Sequence, residues 1–114
     1  MAGRGGIHFA SVLERLGIAE AVKAKTTLVP GGYPTELVAK GEVEVVAHQI
    51  SEIVLVKGVT LVGPLPKDLQ KVTTYSAGVA AKTTAPDLAR GLIAFLTRPA
   101  FKPKFAAAGL DYKE

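Results

Sequence analysis

The stretch from Thr26 to Ala47 constrains this chain more than any other. Thr26-Thr27-Leu28-Val29 reads as a short strand, stopped by Pro30-Gly31-Gly32. Pro34 suits the first turn of a helix, where a missing N–H costs nothing, and Thr35 to Lys40 supplies that helix with Gly41 as its stop. Val43 to Ala47 is the next strand. A strand, a short helix and a second strand in so few residues approach the minimal βαβ crossover, which imposes parallel pairing. The expected class is therefore α/β, with a mostly parallel sheet and helices on both faces.

The remaining segments extend this alternation. From Ile7 the apolar positions Phe9, Val12, Leu13, Leu16, Ile18, Ala21 and Val22 recur at helical spacing, and Gly17 is placed to bend or divide the helix. Ser51 to Leu55 predicts a short helix capped by Ser51 and ended by Gly58. Val59 to Val62 is a third strand, and Lys71 to Ala81 is the longest extended candidate. Two helices close the chain. Thr84 and Asp87 form a capping pattern for the first, which carries the stripe Leu88, Leu92, Phe95 and Leu96. Pro99 opens the second, Pro103 within it predicts a kink or a late start, and Gly109 stops it. The expected organisation is a flexible lead over 1–6, an α/β lobe over 7–81, and a C-terminal helical segment over 82–114.

With 114 residues the length suits one domain, and 48% apolar with 21% charged residues is ordinary for a globular protein. The absence of cysteine excludes disulfides, thiol catalysis and cysteine-ligated zinc. The net charge of +4 invites a nucleic-acid reading, but no two basic residues are adjacent and few aromatics interleave with them. A mildly basic solvated surface is the better account, and no nucleic-acid partner is expected. No apolar stretch reaches the ~20 residues of a membrane span, and the first six residues lack the apolar region of a signal peptide.

Catalytic chemistry is sparse. His8 and His48 have no carboxylate at zinc-ligand spacing, so no metal or cofactor is expected. Ser51 lies near His48 and Glu52 but lacks the G-x-S-x-G elbow that would hold a nucleophile, so no catalytic residue is assigned. The loop Pro30-Gly31-Gly32-Tyr33-Pro34 is more informative. Its glycines leave backbone N–H groups bare before a helix, an arrangement that favours an anion. His48 and Gln49 end the parallel partner strand, and ligands of parallel α/β sheets sit beyond the carboxyl ends of strands. Gly31, Gly32, Tyr33, His48 and Gln49 are the candidate ligand-binding residues.

Three stretches together, "LERLGIAEAVKAK", "GGYPTELVAKGEVEVVAHQISEI" and the run from "VTLVGPLP" to "KFAAAGL", resemble the C-terminal half of the bacterial solute-binding proteins that serve ABC transporters. The nearest branch is the molybdate-binding-like one, of the type II periplasmic-binding-protein fold. The resemblance spans residues 7 to 112. It implies one lobe of a two-lobed protein, whose terminal helices would return to pack on a first lobe. It implies no enzyme, a small anion or polar solute as ligand, and an ABC-transporter membrane component as partner of a full-length form. Backbone at Gly31 and Gly32 would contact the ligand. A tyrosine position of the family matches Gln49, or His48 if the register slips by one.

Gln49 both donates and accepts, whereas a phenol mainly donates to an oxyanion, so a molybdate-like oxyanion and a small organic acid both remain open. The family is periplasmic, while this chain shows no signal peptide, which leaves the cytoplasm open. Without the first lobe the apolar stripe of the terminal helices needs cover, and this predicts a homo-oligomer, with the segment after Tyr75 as a candidate for exchange. The alternative function is an oligomeric structural or interaction protein derived from a truncated lobe that no longer binds ligand.

Overall fold

The computed structural model describes residues 4–112. Its first helix, α1 (Arg4–Arg15), starts earlier than the periodicity suggests, so that Gly5 and Gly6 lie in its first turn and not in a lead-in. One face turns inward: Val12 is 1% exposed, and Phe9 and Leu13 are half-buried. Gly17 divides the expected long helix. With φ at 70° it adopts the left-handed conformation that glycine tolerates best. Gly17 N–H then donates to the Glu14 carbonyl (3.0 Å) and Ile18 N–H to the Leu13 carbonyl (3.1 Å), the paired closure of a Schellman end. The chain resumes as α2 (Ala19–Lys23).

Two polar ties fasten α1 to a distant turn. His8 Nε2 bonds the Leu69 carbonyl at 2.8 Å, and Arg15 Nη1 donates to the Asp68 carbonyl at 3.1 Å. A carbonyl only accepts, so Nε2 carries the proton in this contact. His8 is thus a half-buried tie between segments 61 residues apart.

The next helices are short. α3 (Thr35–Ala39) buries Thr35 and half-buries Leu37 and Val38. Gly41 ends it as expected, with the same double closure: Gly41 N–H to Val38 and Glu42 N–H to Leu37. α4 (Ile50–Ile53) follows. Between these helices, residues 27–29, 45–49 and 59–66 are the segments read as strands or their continuations. They run without helix or turn, but among the described residues none is joined in a ladder. Among the described residues no backbone hydrogen bond ties 44–48 or 59–63 to another segment. Extended backbone becomes a strand only beside a neighbour about 4.8 Å away.

The chain divides into two compact units between Lys71 and Val72, earlier than the boundary at 81 expected from sequence. The second unit opens with irregular backbone to Ala80 and continues in α5 (Pro86–Leu96). Pro86 occupies its first turn, and the cap position falls on Ala85. Thr83, not Thr84, supplies the local oxygen, accepting from Ala85 N–H at 3.2 Å. A 3-10 turn (Pro99–Phe101) leads into α6 (Lys102–Ala107), with Pro103 in its first turn, the late start that proline imposes. Phe95 and Phe101 meet edge to face with centroids 5.0 Å apart, and Phe105 stacks on Tyr112 at 5.8 Å. The Tyr112 hydroxyl donates to the Thr97 carbonyl. Leu88 and Leu92 remain exposed, at 76% and 58%.

The core is small. Val12 is the one fully buried apolar side chain among the described residues. The accessible surface is 9374 Å², whereas a folded monomer of 11.9 kDa exposes roughly 6,000 Å². Dividing the chain into two separate units raises that expectation only to about 7,000 Å². Because so little else is packed, Val12→Ala should lower stability by about 2 kcal/mol through lost transfer energy and the void left behind. Urea unfolding followed by far-ultraviolet circular dichroism measures this, as a lower midpoint.

Candidate functional site

Two corners of the first unit carry the five candidate residues. At the first, the backbone leaves the 26–29 segment at Pro30 and turns through Gly31 and Gly32, with φ at 156° and 78°. A Cβ on either glycine would meet nothing within 4 Å, so the turn needs glycine at position 32 for its backbone angle and not for room. Tyr33 is exposed, and its carbonyl accepts from Glu36 N–H at 3.0 Å as α3 begins. Pro34 occupies the cap position, just outside the first turn expected for it. Five residues of helix carry little macrodipole. What the loop offers an anion is therefore its own exposed backbone.

At the second corner His48 is exposed and Gln49 is half-buried. Gln49, with φ −63° and ψ 138°, is the cap residue of α4, and its carbonyl accepts from Glu52 N–H (3.0 Å) and Ile53 N–H (3.2 Å). Ser51, expected as the cap, lies within the helix. The extended backbone at Gln49 starts the helix at Ile50 and carries Ser51 past the capping position.

Each corner lies at the carboxyl end of a segment read as a strand, as the sequence requires. Among the described residues no hydrogen bond, ion pair or ring contact joins Gly31, Gly32 or Tyr33 to His48. No group of three His, Asp or Glu side chains among these residues could hold a metal ion, and no helix is long and apolar enough to cross a membrane.

Two grooves lie elsewhere in the first unit. One, of about 340 Å³, runs between α1, α2 and Leu28. Glu14 and Glu20 on its wall oppose an anion, and Lys23 only partly offsets them. The other, of about 410 Å³, is lined by Val38, Ile53 and the facing segments 44–46 and 60–63. Its one charged side chain is Glu44. None of the five candidate residues lines either groove. Sequence reasoning placed strands at 43–47 and 59–62 but did not foresee an open apolar groove beside them. The valines that signalled the strands were the available clue.

The chain resembles known proteins in two comparisons. The family model described as bacterial extracellular solute-binding protein matches residues 2–111. A protein from Pseudomonas sp. named aconitate isomerase is 32% identical over 92 residues, covering 80% of this chain and 35% of its own length. The chain thus spans about a third of the length of that curated relative. No solved structure matches. A match over nearly every residue leads to one conclusion: the chain belongs to the bacterial extracellular solute-binding protein family.

Proposed function

We propose that this chain is the ligand-contacting lobe of a solute-binding module that takes a small anion at the corners Gly31-Gly32-Tyr33 and His48-Gln49. The observation that carries the reading is the family match over residues 2–111. The exposed backbone of the glycine loop supplies N–H donors, and the Gln49 amide can both donate and accept. Of the two ligand classes, a small organic acid is favoured over a molybdate-like oxyanion. The aligned relative is named for aconitate, a carboxylate, and the resemblance to the molybdate-binding-like branch implies that Gln49, or His48 if the register slips by one, stands at a tyrosine position of that branch.

The reading extends to the rest of the molecule. The segments read as strands would form the mostly parallel sheet of a type II periplasmic-binding-protein lobe once their edges are paired. The setting is periplasmic, a membrane component of an ABC transporter is the downstream partner, and the chain self-associates. Titration of the isotope-labelled chain with aconitate, citrate, molybdate and sulfate, followed by amide chemical shifts, tests the ligand claim. Saturable shifts at Gly31, Gly32 and Gln49 are expected with the organic acids. Gln49→Ala should weaken binding about tenfold or more, the worth of one hydrogen bond to a charged group. Absence of any saturable shift with all four anions would overturn the reading.

A second reading follows from the name of the relative, which is that of an enzyme. Isomerisation of a carboxylate needs a group that moves protons, and His48 is the titratable candidate at the corners. Among the described residues it forms no ion pair that would orient it. We expect no interconversion of aconitate isomers when the chain is incubated with either one and followed by proton NMR. Formation of the other isomer, lost in His48→Ala, would transfer the chain to the enzymes.

A further inference from the structure

Thr35 is the one buried polar residue among the described residues, at 1% exposure. It opens α3 directly after Gly31, Gly32 and Tyr33, which are all exposed, and after Pro34. Burying a hydroxyl costs free energy unless a hydrogen bond replaces the water it gives up. Among the described residues the Thr35 hydroxyl makes no such bond. The reason is positional. Threonines at the end of a helix satisfy themselves on the carbonyl four residues back, as Thr26 does on Val22 (2.7 Å) and Thr97 on Ile93 (2.8 Å). Four residues before Thr35 stands Gly31, in the loop and outside the helix.

Two observations place this hydroxyl at the glycine loop. A Cα–Cβ bond in a helix tilts toward the N-terminus, so a first-turn side chain leans over the turn that precedes it. For Thr35 that turn is Gly31 to Pro34. It is tied to α3 by Glu36 N–H on the Tyr33 carbonyl (3.0 Å) and Leu37 N–H on the Pro34 carbonyl (3.1 Å). Second, no fully enclosed side-chain oxygen or nitrogen lacks a partner among the described residues. The narrow part of Thr35 that stays accessible therefore includes its hydroxyl oxygen.

We propose that the Thr35 hydroxyl is a ligand contact of the glycine-loop corner, donating to a carboxylate oxygen of the bound organic acid. An ionised carboxylate only accepts, and a hydroxyl can turn its proton to meet it. A bond to a charged acceptor is also the stronger kind. The donor is a side chain, so the weak dipole of a five-residue helix is not called upon. This inference rests on the anion reading of that corner and adds a side-chain donor to its backbone donors.

Thr35→Val keeps the shape and the branch at Cβ and removes the hydroxyl, whereas Thr35→Ser keeps the hydroxyl. Each full chain is titrated with aconitate and followed by the amide shifts of Gly31 and Gly32. The valine variant should bind about tenfold or more weakly, the worth of one hydrogen bond to a charged group, and the serine variant close to the parent. Without ligand, the valine variant should keep or raise the urea midpoint, because the chain loses no bond of its own. Equal affinity of the valine variant and the parent overturns the proposal and leaves the anion reading standing. Equal weakening by valine and serine also overturns it, since packing and not the hydroxyl would then set the affinity. So does a lowered midpoint for the valine variant, which would put the hydroxyl in a bond within the chain. Absence of a saturable shift in the parent chain removes the anion reading itself, and this proposal with it.

Discussion

A helix satisfies its backbone within itself, whereas a strand depends on a neighbour for every N–H and C=O it presents. That difference organises this molecule. Its helices are in place, closed by backbone bonds at Gly17 and Gly41, and α1 is held to the 66–69 turn through His8 and Arg15. The segments between them are irregular backbone, joined in no ladder among the described residues. Among the described residues Val12 is the one fully buried apolar side chain. Hydrophobic stabilisation scales with area removed from water, so this chain holds much of its capacity in reserve. The completed lobe proposed above calls on that reserve.

The same shortage bears on the candidate site. A ligand corner is useful only when a rigid scaffold holds its donors in place. Gly31-Gly32 and His48-Gln49 each have a local reason for their shape, a left-handed glycine in one case and a helix cap in the other. Pairing of the 26–29 and 43–47 segments would set the distance between the two corners. Ligand binding and sheet completion are thus linked in the proposed module: whatever orders the sheet also assembles the site.

Much of the local structure was legible in the sequence. Glycine stops at 41 and 109, the division at Gly17 and the late start imposed by Pro103 depend on intrinsic backbone preferences, which act over a few residues; the helix expected to run to Gly58 ends instead at Ile53. Capping was read less well. Ser51 and Thr84 have the right side chains, yet the caps fall on Gln49 and Ala85, because the residue at which the backbone turns helical decides the cap. The His8–Leu69 tie was not readable at all, since it joins positions 61 residues apart. The candidate corners were legible as positions, by their place after apolar runs, but their mutual geometry was not.

By itself the sequence determined which segments are helical, which faces are apolar, and the membership in a solute-binding family, because these rest on local preference and on side-chain pattern. Only the tertiary structure decided how much of that apolar surface is covered. Among the described residues it joined none of the extended segments in a ladder, and it opened a groove between two of them. The physical reason is that pairing and burial require partners distant in sequence or outside the chain, and a pattern of side chains records the need for a partner without supplying one.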